Sequence, residues 1–317
     1  MKSGVFAACC LVLSVLSFSN VNAQVLYQPR IIAGYFDYEM SVESNIDQVL
    51  GSRILASEIL GGESGGSNAT SISDSFAALG VGLTAIRGKY FADIYIQDSI
   101  SGGFDDRDFF VNRPSDVNAT LIGDGDIDRQ DFAVSIGRTF DNGFSVSAGF
   151  KSGVTEFTQV ATLDGEGFTT NYEFDINGPF VALTYGRKIG TGVLGFNVAL
   201  ADLTADYNFG LSFFQFDQTS ISQGAIQRDN IVGGIDGGAT GVTFGLSWKA
   251  PFPWGNIEGL SYSASADTYD YDIDLSGGSR QLVGGNGLPI DVTAPVQLTA
   301  NFNEQVTSFK LALQYLF

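Results

Sequence analysis

The stretch Gly241-Val242-Thr243-Phe244-Gly245-Leu246-Ser247-Trp248 alternates without a slip. Val242, Phe244, Leu246 and Trp248 fall on one side, and Gly241, Thr243, Gly245 and Ser247 on the other. A period of two is that of an extended strand, whereas a helix repeats after about 3.6 residues. Outward from this stretch the pattern recurs. Leu79, Val81 and Leu83 oppose Ala78, Gly80 and Gly82, and Phe132, Val134 and Ile136 oppose Ala133, Ser135 and Gly137. Phe144, Val146 and Phe150 oppose Ser145, Ser147 and Gly149, while Val181, Leu183 and Tyr185 oppose Ala182, Thr184 and Gly186. Phe196, Val198 and Leu200 oppose Gly195, Asn197 and Ala199, and Leu260 and Tyr262 oppose Ser261 and Ser263. Ile31–Val42 and Tyr90–Gln97 alternate less cleanly but are rich in aromatic and β-branched residues.

One face is bulky and apolar, the other small and weakly polar. A soluble sandwich would bury the bulky face and set Lys, Glu and Thr against water. Gly, Ala and Ser suit instead the cramped interior of a transmembrane barrel whose bulky face meets lipid. Connections alternate as well. Tight links at Arg87–Lys89, Asp141–Gly143, Lys188–Gly192 and Ala250–Asn256 separate long segments at about 43–74, 98–131, 152–178, 202–239 and 267–304. Short turns at one end and long connections at the other predict an antiparallel up-and-down barrel of ten strands. Strands of about 11 residues suffice to span the bilayer, so the long segments are expected to include strand projecting beyond it. A twelve-stranded variant would place another hairpin in Thr155–Asp175, around Asp164-Gly165-Glu166-Gly167.

At the N-terminus Lys2 precedes the apolar run Val5–Phe18, and Val21-Asn22-Ala23 supplies small residues before Gln24. That is a signal peptide over residues 1–23, leaving 24–317 as one barrel domain. The run is too short to span a bilayer. Both cysteines, Cys9 and Cys10, lie inside it, so the mature chain carries no thiol and no disulfide.

The last strand sets Phe309, Leu311, Leu313 and Tyr315 in an alternating row that ends on Phe317. Lys310, Ala312, Tyr315 and Phe317 have the polar–small–aromatic–aromatic spacing of an assembly signal. In this respect the chain resembles the Gram-negative outer-membrane β-barrel superfamily, porin-like and small barrels included. Ala312 stands where many members have Gly. The resemblance implies export to the outer membrane, insertion by the barrel-assembly machinery, which reads the final strand, and contact with lipopolysaccharide.

Charge narrows the function. The 317-residue chain has a formal charge of −19, and only 16% of its residues are charged, against about a quarter usually. A chain so negative is a poor partner for a phosphate backbone, so no nucleic-acid role is expected. Thirty of the 35 acidic residues fall in the five long segments, which read as acidic extracellular loops, while the opposite rim collects Arg30, Arg87, Lys89, Arg138, Arg187, Lys188 and Lys249. Such a crown attracts divalent cations weakly, and no other cofactor is implied. Asp124–Asp128 opens like a calcium loop, but Arg129 and Ser135 replace the required Gly and Glu. Asp270, Asp272 and Asp274 share one face of a projecting strand.

The chain has no histidine, which removes Ser-His-Asp and Cys-His catalysis and His-ligated metals. The resemblance adds that outer-membrane proteases, phospholipases and deacylases rely on histidine, so no enzyme is expected. The first functional reading is a narrow passive channel whose lumen is lined by Asp93, Ser135, Ser147, Lys151, Asn197, Thr243, Ser261 and Lys310, with few other inward charges. The alternative is a surface adhesin, a receptor or a structural barrel. It would act through its long loops, where Phe109-Phe110 and Phe213-Phe214-Gln215-Phe216 offer aromatic anchors.

Overall fold

The computed structural model describes residues 24–44, 69–101, 104–112, 118–163, 166–215, 227–253, 257–283 and 299–317. Residues 1–23, read above as a signal peptide, and residues 61–66, Asp164, Gly165, Phe216 and 284–287 lie outside the described residues. Eleven strands run in chain order: β1 (Leu26–Ser44), β2 (Ala69–Arg87), β3 (Tyr90–Ser101), β4 (Phe104–Asn112), β5 (Asn118–Thr139) and β6 (Phe144–Leu163). They continue with β7 (Glu166–Ile189), β8 (Gly192–Gln215), β9 (Gln227–Pro251), β10 (Leu260–Val283) and β11 (Thr299–Tyr315).

Consecutive strands pair antiparallel except β3 and β4, β1 pairs with β11, and β3 pairs with β5, so the sheet closes on itself. At the level of the β3–β5 pairing this leaves no free edge, the condition for a sheet to survive in lipid. β3 and β4 flank the same strand, β5, at successive heights. They form one stave with a kink, marked by register shifts between Ala77 and Ala78 on β2 and between Phe104 and Arg107 on β4. The wall therefore has ten staves. The twelve-strand variant does not occur: Leu163 pairs with Glu166, so Thr155–Asp175 is the far end of the β6–β7 hairpin.

The four short turns each hold a glycine at positive φ, for example Gly88 at 62° and Gly143 at 86°. A side chain there would crowd the backbone, which is why glycine marks these turns. At Asp141–Gly143 the loop is pinned by Phe140 N–H donating to the Phe144 carbonyl at 2.7 Å.

Strand parity holds over the whole height of the barrel, but the chemistry it carries reverses. Near the short turns, Ile31, Leu79, Val81, Leu183, Phe196, Leu200, Phe244 and Leu311 face outward and are exposed, Leu311 to 65%. This is the apolar band expected against lipid. Farther up the same staves, the outward positions become Asp37 and Glu39, Asp126 and Asp128, Glu156, Glu173, Asp202 and the row Asp270, Asp272 and Asp274, all exposed. The inward positions between them are Tyr38, Ile127, Phe157, Phe174, Leu203, Tyr271 and Ile273, all buried in one hydrophobic cluster. The lower half is thus a membrane barrel with a small-residue interior. The upper half is built like a soluble barrel around a core.

Candidate functional site in the barrel interior

The interior falls into three layers. The upper layer is the aromatic core. Phe36 stacks on Phe76 at 5.2 Å, Tyr207 meets Phe302 at 5.3 Å, and Tyr38 meets Phe157 at 5.7 Å. Phe36 and Phe76 are cross-strand neighbours on β1 and β2, whereas Tyr207 with Phe302 and Tyr38 with Phe157 meet from staves that are not adjacent, so the rings fill the section rather than line it.

The middle layer is charged. Arg129 on β5 donates to Glu304 on β11, to Asp131 (ion pair at 3.2 Å) and to the Thr155 hydroxyl at 3.2 Å. Its guanidinium also lies 5.7 Å from the Tyr38 ring centre. Glu304 is wholly buried, and its Oε2 has no hydrogen-bond partner among the described residues. Lys151 on β6 donates to the Tyr271 hydroxyl on β10, and its ammonium lies 4.3 Å from that ring centre. Lys310 donates to the Tyr269 hydroxyl at 2.8 Å and sits 3.6 Å from Asp267. The Arg129–Glu304 and Lys151–Tyr271 contacts each join strands separated by several staves, so they are chords across the lumen.

The lower layer has Arg30 bound through both its terminal nitrogens to Asp93, at 2.7 and 2.8 Å, with Thr84 completing the group. Lys249 donates to Gln28 at 3.0 Å. Between the middle and lower layers lies a cavity of about 370 Å³. Tyr95, Arg129, Asp131, Lys151, Tyr269 and Tyr271 line its upper end, Ser147, Thr184, Asn197 and Thr243 its hydrogen-bonding wall, and Phe180, Ala182, Ala199 and Ala201 its apolar wall.

Four of the lumen candidates, Ser147, Lys151, Asn197 and Thr243, line this cavity. Asp93 is held by Arg30, and Lys310 sits between Tyr269 and Asp267. Ser135 and Ser261 occupy half-buried inward positions on β5 and β10. Of the final-strand residues, Lys310 and Ala312 take inward positions and Tyr315 an outward one. Phe317 packs edge-on against Tyr315 at 4.6 Å, and its N–H donates to the Tyr27 carbonyl at 2.9 Å.

The expectation of few inward charges is corrected. Arg30 and Lys249 point into the barrel rather than standing on the rim, and Arg129, Asp131, Asp267 and Glu304 lie inside rather than in outer loops. Nor do the inward glycines leave open space. Arg30 lies over its cross-strand partner Gly82, Phe91 over Gly137, Asp267 over Gly245 and Tyr271 over Gly241. Each glycine is a socket for a large neighbour, a pairing that also shields its bare backbone.

Between the rim and the aromatic core, the described interior holds five cations, Arg30, Arg129, Lys151, Lys249 and Lys310. Four carboxylates, Asp93, Asp131, Asp267 and Glu304, oppose them. Asp124–Asp128 is strand, with Ile127 buried between exposed Asp126 and Asp128, so no calcium loop forms there. On the outer wall Asp206 faces Asp175 and Asp236 across the ladders. Its partial burial, then the Asp236 carboxylate, push its carboxyl above the ordinary range. Phe109, Phe110, Phe213 and Phe214 belong to β4 and β8.

No family model and no curated protein matches the chain. Among solved structures it is similar to the outer-membrane protease OmpT of Escherichia coli. The TM-score is 0.55 at 8% identity, covering 95% of this chain and 99% of that one. It is also similar to a FadL homologue of Pseudomonas aeruginosa (TM-score 0.30, 7% identity, 93% and 90% covered). A third is the toluene transporter TodX of P. putida (0.34, 8%, 96% and 92%). At 8% identity, what the likeness to OmpT shows is the fold alone, a closed antiparallel barrel.

Proposed function

We propose that the chain is a narrow, channel-like barrel of the bacterial outer membrane, delivered there by its signal peptide and shut in the conformation described. The observation that carries this reading is the chamber at the level of the apolar band, one part of whose wall is made of hydroxyl, amide and ammonium groups. A barrel serving only as an anchor has no need of a chamber with hydrogen-bonding walls at that depth. Two chords and the aromatic core close the section above it, so passage requires Arg129–Glu304 and Lys151–Tyr271 to part. Such a path is far narrower than a general diffusion porin. The catalytic reading has little to stand on in a chain without histidine.

The aromatic core itself favours a second reading, a structural or surface barrel that acts through its outer strands and long connections. In either case, the exposed carboxylates of the upper wall would share divalent cations weakly with lipopolysaccharide phosphates. Lys310, Ala312, Tyr315 and Phe317 are the residues the assembly machinery would read. Single-channel recording on the refolded mature chain separates the two readings. The channel reading expects brief, small, discrete steps that lengthen in Glu304→Gln, where the upper chord loses its ion pair. Silence of a correctly folded barrel, in the wild type and in Glu304→Gln alike, refutes it and leaves the surface reading.

A further inference from the structure

A chain with a formal charge of −19 would be expected to present a cation-attracting lumen. Between the rim and the aromatic core the described interior has the opposite sign, five cations to four carboxylates, because most of the described acids stand on the outer wall. Within the charged layers, carboxylates and cations pair off. Arg30 takes Asp93, Arg129 takes Glu304 and Asp131, and Lys310 takes Asp267. Among the described residues this leaves Lys151 and Lys249 without a carboxylate in ion-pair range. Lys249 is satisfied by the Gln28 amide near the rim. Lys151 stands on the chamber wall, its ammonium bonded to the hydroxyl of Tyr271, over that ring and, at 5.4 Å, facing the ring of Tyr269. The Asp131 and Glu304 carboxylates that hold Arg129 attract it only from beyond ion-pair range. Desolvated charge is costly until something of opposite sign meets it, and two aromatic faces offset only part of that cost.

We infer that the chamber is a binding site for small organic monoanions, carboxylates above all, with Lys151 as the counter-charge. The carboxylate would accept from the Lys151 ammonium and the tyrosine hydroxyls beside it. The body of the solute would lie against Phe180 and the alanine wall. An inorganic anion would leave that apolar wall unused, and a dianion would meet Asp131 with only one unmatched cation to hold it. The rim adds direction: Arg87, Lys89, Arg138, Arg187 and Lys188 crowd the short-turn end, against Asp141 and Glu258, and draw anions toward that mouth. This names the solute class for the channel reading and rests on that reading for passage, though not for binding.

The test uses the full mature chain refolded in detergent micelles, titrated by calorimetry with benzoate, benzyl alcohol and benzylammonium, which match in shape and differ in charge. Benzoate is expected to bind at one saturable site. Benzyl alcohol should be weaker by about tenfold or more, as for loss of one charge-assisted contact, and benzylammonium should not bind. Lys151→Met should bring benzoate down to the level of the alcohol, while Lys151→Arg should keep its preference. Equal binding of the three probes to the wild type, or unchanged benzoate affinity in a folded Lys151→Met, overturns the inference. The wild-type comparison decides alone if the variant does not fold. Benzoate binding by a barrel that never conducts would remove the channel reading and leave the site. Discrete steps with cation preference and no benzoate binding would do the reverse.

Discussion

The chord between Arg129 and Glu304 is the contact whose removal speaks most directly to how the barrel is held shut. Both side chains are almost wholly buried, Arg129 at 6% exposure and Glu304 at 0%. Breaking a buried pair by deleting one partner costs about 3–5 kcal/mol, because the survivor is left charged without compensation. The two deletions are unequal here. Glu304→Leu leaves Arg129 with Asp131 and Thr155, so a cost of about 3 kcal/mol, the low end of that range, is expected. Arg129→Met strands a carboxylate that already has one oxygen unpaired, and should cost about 5 kcal/mol. The double variant removes both charges. Its loss should fall short of the sum of the single losses by about 3 kcal/mol, the upper end of measured couplings between contacting residues. Urea titration of the micelle-refolded barrel, followed by tryptophan fluorescence and by heat-modifiable electrophoretic mobility, supplies the four free energies. Losses that add to within about 0.5 kcal/mol would mean the two groups do not interact and that the chord does not hold the section closed.

Gly241→Val should force the Tyr271 ring off its socket and away from Lys151, costing about 1–3 kcal/mol as overpacking does; a folded variant of unchanged stability would show the ring does not lie there. Phe174→Ala, in the centre of the core, should cost about 3–5 kcal/mol and lengthen conducting events, whereas a stability loss with unchanged recordings would separate the core from the path. At the Asp141 turn, the Lys89 ammonium bonded at 2.6 Å holds the carboxyl below its ordinary range. The stabilisation from that pair is therefore full above the unfolded carboxyl's pKa and lost as pH falls through the lowered folded value. A carbon-13 titration should place the Asp141 midpoint below that of free aspartate and restore it in Lys89→Met; an ordinary midpoint in the wild type would contradict the contact. Deleting Phe317 should lower the yield of assembled barrel in cells while leaving refolding in vitro nearly intact, and equal cellular yields would mean the final strand is not read through that ring.

The lower half of the barrel was legible because its two faces differ in size throughout, and because each short turn announces itself with glycine. Gly241–Trp248 reads correctly from either end. The upper half was harder, for a reason visible in β10. Ser261, Ser263 and Ser265 share their face with Tyr269, Tyr271 and Ile273, while Tyr262 and Ala264 share theirs with Asp270, Asp272 and Asp274. Parity never changes, yet the large apolar residues move from the outer face to the inner one where the strand leaves lipid. A rule that assigns bulky residues to lipid fails above that crossing. Ile31–Val42 looked irregular because it straddles the crossing: Ile31 and Tyr35 are exposed to the bilayer, Phe36, Tyr38 and Met40 are buried in the core, and Asp37 and Glu39 face outward.

The interior charges escaped for a related reason. Arg129, Asp267 and Glu304 sit in segments whose charged residues are mostly acidic, so by composition they belong with the crown. Only their parity, odd on β5 with Ser135 and Gly137 and even on β11 with Lys310 and Ala312, sets them inside. Parity followed unbroken from the membrane level upward would have placed all three. What it could not supply is the pairing across the lumen, since Arg129 and Glu304 are 175 residues apart and meet only once the tenth stave closes the wall. The closure that joins β3 to β5 therefore also brings β5 and β11 within reach of each other across the lumen. An opening that conducts must break the chord without opening the sheet, which confines any gating motion to side chains and to the strand ends above the apolar band.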